Sequence, residues 1–178
     1  MIAKKSADKQ IQITIEQMKP EDIEAVAELD TKCFPTPWSV SAYSTEVHNP
    51  NAYYIVARHN SKIVGYAGMW LVMEEAHITT IGVDPDFRGM KIGERMLVNL
   101  LDEAIHRGAR RATLEVREHN LIAQNLYRKY GFYVAAIRRG YYTDNNENAL
   151  VMWIDDLWDE NFLRNLRINR EKLREAEW

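Results

Sequence analysis

The stretch Ile81-Gly82-Val83-Asp84-Pro85-Asp86-Phe87-Arg88-Gly89-Met90-Lys91-Ile92-Gly93 limits the folds open to this chain more than any other. An apolar, β-branched run ends at Asp84-Pro85-Asp86, and a 3.6-residue period then begins, with Ile92, Met96, Leu100 and Leu101 on one face as far as Gly108. A strand therefore passes through a short turn directly into a long amphipathic helix. Such a junction leaves the first backbone N–H groups of the helix without internal partners, at the positive end of its dipole. Gly89 and Gly93 would let a pyrophosphate approach that main chain closely, and Arg88 adds a cation. On spacing alone the same residues also read as a helix start with incidental glycines.

The other elements follow from periodicity and punctuation. Ile11 to Ile15 alternates with polar residues as a half-buried strand does. A helix follows with Pro20 at its first position, Glu21 and Asp22 in the first turn, and Ile23, Val26, Leu29 and Cys33 on one face. Ser39 reads as the N-cap of a second helix, with Trp38 and Tyr43 placed to form a hydrophobic staple. Tyr53 to Arg58 and Lys62 to Val72 form a hairpin around His59-Asn60-Ser61, and Ala76 to Val83 is the next strand. Ala112 to Arg117 is a further strand, Asn120 caps a helix that Gly131 closes, and strands near Phe132 to Arg138 and Ala149 to Ile154 complete a mixed sheet. From Leu157 onward, Trp158, Phe162, Leu166 and Leu173 keep a helical stripe that should pack on its own domain. The expected organisation is a flexible segment at 1–10, one α/β (α+β) domain at 11–156, and a C-terminal amphipathic helical extension at 157–178.

Composition narrows the function classes. At 178 residues, 46% of them hydrophobic, the chain can bury one substantial core, and no apolar run approaches the roughly 20 residues a bilayer span needs. Residues 1–10 lack the apolar stretch of a secretory signal, so a cytoplasmic location and no membrane partner are expected. The single cysteine, Cys33, excludes an internal disulfide and a multi-cysteine zinc site, and the five histidines show no paired metal spacing. A net charge of -3 gives no field that would draw nucleic acid, whereas a cationic amine or basic peptide is tolerated.

Arg88-Gly89-Met90-Lys91-Ile92-Gly93 resembles the coenzyme A loop [QR]-x-x-G-x-[GA] of the Gcn5-related N-acetyltransferases (GNAT), with Lys91 where a glycine is usual. Asn120, Ala123, Leu126-Tyr127 and Gly131-Phe132 are similar to that family's second cofactor motif. A resemblance over most of the chain links it to the bacterial ribosomal-protein alanine N-acetyltransferases, the RimI group. It is carried by Phe34-Pro35 with Pro37-Trp38-Ser39, Val83 to Phe87, Leu114-Glu115-Val116-Arg117, Asn120 to Phe132, Arg138-Arg139 with Tyr141-Tyr142, and Glu147 with Ala149. Departures are His119 where a small polar residue is common, Asn148 where aspartate is common, and extensions at both ends.

The resemblance implies a GNAT-type domain with a mostly antiparallel, twisted sheet, acetyl-coenzyme A as cosubstrate, no metal, and as acceptor the N-terminal amine of a protein, a ribosomal protein beginning with alanine. It implies cofactor contacts at Ile81, Gly82, Val83, Arg88, Gly89, Met90, Lys91, Ile92, Gly93, Glu94, Asn120 and Tyr127, and acceptor contacts at Trp38, Tyr141 and Tyr142. An α-amine with a pKa of roughly 7.7 to 8.0 must shed a proton before attacking a thioester, so a base is needed. Glu115 matches the family's base, and partial burial would raise its pKa toward usefulness. Tyr127 matches the acid that protonates the departing thiolate. Read without that context, Glu115 is a surface partner of Arg117, Tyr127 a core anchor, and Tyr141 and Tyr142 strand residues serving the sheet. Cys33 reads as packing, and among the histidines only His119 is expected within reach of Glu115. Two other functions fit the same residues: acetylation of a lysine or small-molecule amine, and acyl-coenzyme A binding without catalysis. Monomer and weak dimer both remain open.

Overall fold

The computed structural model describes residues 12–176. In chain order these form β1 Ile13–Gln17, α1 Ile23–Cys33, α2 Val40–Val47, β2 Ala52–His59, β3 Lys62–Val72, β4 Glu75–Val83, α3 Ile92–His106, β5 Arg111–Arg117, α4 Leu121–Lys129, β6 Tyr133–Arg138, β7 Ala149–Ile154 and α5 Glu160–Glu175. Short 3-10 turns at Pro20–Asp22 and Pro85–Phe87 lead into α1 and follow β4. The expected flexible segment and Ile11 lie outside the described residues, and the first strand starts at Ile13.

The seven strands form one mixed sheet in the order β1-β2-β3-β4-β5-β7-β6. Among the described residues β4 and β5 are its parallel pair, joined by α3; every other neighbour is antiparallel. One apolar cluster lies between the sheet and the helices α3 and α5, built on Met96, Leu100, Leu114, Met152 and Leu166. A second lies under α1 and α2 on the opposite face, around Val26, Tyr43, Tyr54 and Tyr66.

Local rules set the element ends. Ser39 Oγ accepts from the Ala42 N–H at 3.1 Å, and the Trp38 and Tyr43 rings sit 5.5 Å apart, so the expected cap and staple both form. Asn120 Oδ1 accepts from the Ala123 N–H at 3.1 Å at the start of α4. The tail differs from expectation at its start: α5 begins at Glu160 because Asp159 Oδ1 caps the Phe162 N–H at 2.9 Å. Trp158 lies in the preceding turn, where its indole N–H donates to Ala109 O at 2.9 Å, so it is off the helical stripe. Phe162, Leu166 and Leu173 do form the stripe, and they share the α3 core.

The register of β4 explains where the sheet opens. Its pairing with β5 runs from Glu75↔Arg111 to Ile78↔Leu114 and stops there, although β4 continues to Val83 and β5 to Arg117. On its other side β4 carries Thr79 as an extra residue, since Gly68 pairs with Thr80 and Met69 with Ile78. A bulge bends the strand that contains it. Thr79 Oγ1 secures the bend, donating to Gly68 O at 3.2 Å and lying 2.7 Å from the Tyr54 hydroxyl. β5 meanwhile stays paired with β7 through Arg117↔Ala149, so the two parallel strands part and leave a gap inside the sheet.

Candidate active site

A cavity of about 780 Å³ occupies that gap, lined by Ile78 to Ile81 of β4, Leu114 to Arg117 of β5, Asn120 and Tyr127 of α4, and the loops before α2 and after β6. Glu115 is half-buried on its wall and points away from the α3 core, because Ala112, Leu114 and Val116 take the alternate positions facing inward. Its partner is His77, one strand away: His77 Nε2 lies 2.7 Å from Glu115 Oε2. An ionised carboxylate only accepts, so Nε2 carries the proton of this bond. Arg138 Nη2 stands 3.7 Å from the other oxygen, Oε1.

These contacts correct the expected electrostatics. The His77 hydrogen bond, with charge from His77 and Arg138, outweighs burial and holds the Glu115 carboxyl below its usual range rather than raising it. Nor is Glu115 paired with Arg117, whose guanidinium instead reaches Asp144 at 2.8 Å and Glu147 at 3.3 Å and lies 3.9 Å from the Tyr142 ring centre. His119 is also elsewhere: its main-chain N–H and Nδ1 reach Glu147 Oε2 at 3.0 and 3.2 Å. The histidine beside Glu115 is His77, brought there by the parallel register of β4 and β5.

Tyr127 reaches the same cavity from α4, its ring edge-on to Phe132 at 5.9 Å. Its hydroxyl has no hydrogen-bond partner among the described residues, unlike a satisfied core anchor, and burial pushes the phenol up to about 12. Tyr141 and Tyr142 do not lie in a strand. They sit in the loop between β6 and β7, both lining the cavity, with Tyr142 pushed up to about 12 mainly by burial. Glu147 organises this loop. It accepts from His119, Asn145 and Arg117, and the His119 N–H in particular pulls its carboxyl down to about 2. Asn148 explains its own departure from aspartate, because Oδ1 accepts the Gly140 N–H and Nδ2 donates to Glu118, both at 3.0 Å. An aspartate there would lose the donor and face Glu118 with like charge.

Trp38 lines the opposite wall, and its main-chain N–H donates to Asp30 Oδ2 at 2.7 Å. Asp30 is a buried carboxylate of the cavity wall that sequence reasoning missed; it also accepts from the Tyr66 hydroxyl. Its position on the buried face of α1, next to Cys33, is the only signal the sequence offered. Cys33 Sγ is 3.4 Å from Val83 O and burial pushes the thiol up, which opposes a nucleophilic thiolate.

The loop before α3 lies beyond the cavity lining. Gly89 has φ +82°, with nothing within 4 Å of the place a Cβ would occupy, and Lys91 takes a left-handed φ of 59° as the N-cap of α3. The side chains of Ile92 and, in part, Met90 are buried in the core, so these positions can offer a ligand only main chain. Gly82 is a glycine for packing, since a Cβ there would run into the Tyr66 ring. Glu94 turns its carboxylate to the Tyr130 hydroxyl at 2.7 Å and to Lys129, tying α3 to the end of α4. Exposed Arg88 bonds Val83 O through Nε at 3.3 Å, and its guanidinium also acts on the Cys33 thiol. Exposed main chain at a helix N-terminus, open space over Gly89 and a neighbouring cation suit a diphosphate.

The family model for the GNAT acetyltransferases matches residues 23–132, an interval that spans the loop, Glu115 and Tyr127. The chain belongs to the GNAT family. A Bacillus subtilis (strain 168) relative is 40% identical over 141 residues, which cover 79% of this chain and 93% of that protein. The ribosomal protein bS18-alanine N-acetyltransferase of Escherichia coli (strain K12) is 34% identical over 143 residues, 78% of this chain and 95% of its own. The crystal structure of the ribosomal-protein-S18-alanine N-acetyltransferase from Escherichia coli superposes with a TM-score of 0.76 at 31% identity, covering 84% of this chain and 98% of that one. This GNAT protein is therefore an acetyl-coenzyme A-dependent N-acetyltransferase.

Proposed function

We propose that this enzyme acetylates the N-terminal α-amine of a protein beginning with alanine, a ribosomal protein of the bS18 kind, with Glu115 receiving the amine proton and Tyr127 hydrogen-bonding the departing sulfur. The observation that carries this reading is that Glu115 and Tyr127 face one cavity at the opening between β4 and β5. The likeness to the Escherichia coli enzyme over most of the chain supports the choice of acceptor.

Acetyl-coenzyme A supplies an activated acetyl group, so a C–N bond forms as the C–S bond breaks. The residues then have limited tasks. With its carboxyl held below the ordinary range, Glu115 is a weak base toward a free ammonium, which decides between acceptors. An α-amine of pKa about 7.8 is roughly one-third neutral at pH 7.5, whereas a lysine of pKa about 10.4 is neutral in roughly one molecule per thousand. The α-amine needs little help before attack. Once the C–N bond forms, its nitrogen becomes strongly acidic, and Oε1 of Glu115 can take that proton downhill. Tyr127, at about 12, sits roughly 3 units above a free thiol, so full proton transfer to sulfur would cost roughly 4 to 5 kcal/mol. It stays protonated and stabilises the thiolate as a hydrogen-bond donor. Trp38, Tyr141 and Tyr142 line the cavity with aromatic surface that suits the apolar side of a peptide end.

Release of free thiol from acetyl-coenzyme A tests this directly, with peptides beginning in alanine compared against blocked peptides bearing lysine, polyamines and amino sugars. Alanine peptides should turn over, and Glu115→Gln should cut kcat by roughly 100-fold or more with acetyl-coenzyme A affinity retained. Turnover confined to lysine or small amines would reject the acceptor; cofactor binding without any turnover would favour a binding module.

A further inference from the structure

We propose that His77 is a positioning residue for Glu115, holding Oε2 through its Nε2–H so that Oε1 stays presented to the cavity. The proposal rests on the reading of Glu115 as the group that receives the amine proton. Its own support is geometric. The bond from Nε2 to Oε2 is 2.7 Å, and no other side chain among the described residues hydrogen-bonds either Glu115 oxygen. Arg138, at 3.7 Å from Oε1, is outside hydrogen-bond range and more than half exposed. Beside the main-chain N–H of Glu115 itself, His77 is the one side-chain donor among the described residues fixed on this carboxylate, so the bonded oxygen anchors the plane and Oε1 is turned to the acceptor amine.

His77 is itself fixed. It lies opposite Thr113 in the β4–β5 ladder, one residue before the last paired position, and so at the brink of the splay. Its ring stands edge-on to Trp70 at 5.9 Å, and the Trp70 indole N–H is held by Glu46 of α2 at 2.6 Å. A chain of contacts therefore runs from α2 through β3 and β4 to the carboxylate on β5. The charged and titratable groups facing the pair are Arg138 from β6 and Tyr142 from the following loop, with Glu46 behind Trp70. None of these can replace the His77 donor at Oε2.

The experiment compares His77→Leu, His77→Gln and Glu115→Gln. Leu removes the donor, while Gln retains an N–H of similar reach. His77→Leu is expected to lower kcat about tenfold with the KM for acetyl-coenzyme A unchanged, and to move the Glu115 carboxyl titration upward when followed by carbon-13 NMR of labelled glutamate. His77→Gln should recover most of kcat, and His77→Leu should add little to Glu115→Gln. An unchanged titration in His77→Leu, or a kcat loss that His77→Gln does not recover, overturns the proposal. If Glu115→Gln is fully active, the reading of Glu115 as proton acceptor fails instead, whatever the titration of the His77 variants.

Discussion

Tyr127 and Glu115 are held in opposite protonation states by their surroundings, and each state suits one partner in the reaction. Burial without a protein partner keeps the Tyr127 hydroxyl protonated to about 12. The His77 donor keeps Glu115 ionised below the ordinary carboxylate range. The pH dependence follows from those two directions. Glu115 is already ionised throughout the neutral range, so the rise of kcat/KM there should track deprotonation of the acceptor amine, levelling near pH 9, and kcat/KM should then stay flat to about pH 10 because Tyr127 has not begun to ionise. Tyr127→Phe removes a hydrogen bond to a developing anion, worth roughly 1.5 to 3 kcal/mol, so kcat should fall roughly 10- to 100-fold with the peptide KM little changed. Rates measured by thiol release from pH 6 to 10 check both; a break near pH 7 that follows the enzyme rather than the peptide's amine would contradict the assignment.

At the scale of elements, what the sequence made legible was local. Ser39 and Asn120 announce their caps within three residues, Trp38 and Tyr43 their staple, and the glycines after Asp84-Pro85-Asp86 the strand-to-helix junction. What stayed hidden depends on register. His77 and Glu115 are 38 residues apart and meet because β4 pairs with β5 in parallel at one offset, while the bulge at Thr79 is visible only once β3 and β4 are aligned. The loop carrying Tyr141 and Tyr142 reads as strand because its aromatic content suits a sheet, yet Glu147, Arg117 and Asn148 close it as a turn. Lys91 links the two kinds of signal. Its departure from glycine is plain in the sequence, and its φ of 59° gives the physical reason glycine is usual there. A left-handed residue with a Cβ costs roughly 1 to 2 kcal/mol, against roughly 0.4 to 1 kcal/mol for the extra freedom glycine gives the unfolded chain. Lys91→Gly is therefore expected to stabilise the protein by about 0.5 to 1 kcal/mol in denaturant unfolding, and a loss of stability would mean that the lysine side chain makes a compensating contact.

For the whole molecule the question is whether α5 is an appendage or a structural part of the domain. The sequence pattern and the family resemblance set 157–178 apart as an extension whose stripe packs on its own domain, and Phe162, Leu166 and Leu173 lie in the core cluster shared with α3. Leu166 is 1% exposed and Leu173 4%, and both belong to the cluster that contains Met96, Leu100 and Leu114, the residues beneath α3 and β5. Polar ties reinforce it: Asn165 Nδ2 donates to Lys129 O at 2.9 Å, Arg170 pairs with Asp102, and Arg95 of the first α3 turns donates to Ala176 O at 3.0 Å. The helix thus clamps α3, whose N-terminus carries the proposed diphosphate loop, and the end of α4, which carries Tyr127. Leu166→Ala should cost roughly 2 to 5 kcal/mol through lost burial and the cavity left behind. In a chain of this length that lowers Tm by roughly 5 to 15 °C. If α5 folds with the rest, calorimetry should show one transition displaced as a unit, with acetyl-coenzyme A raising Tm in the variant as in the parent. A main transition left in place beside a small early one would show that α5 unfolds alone, and the clamp on α3 and α4 would then lie outside the cooperative core.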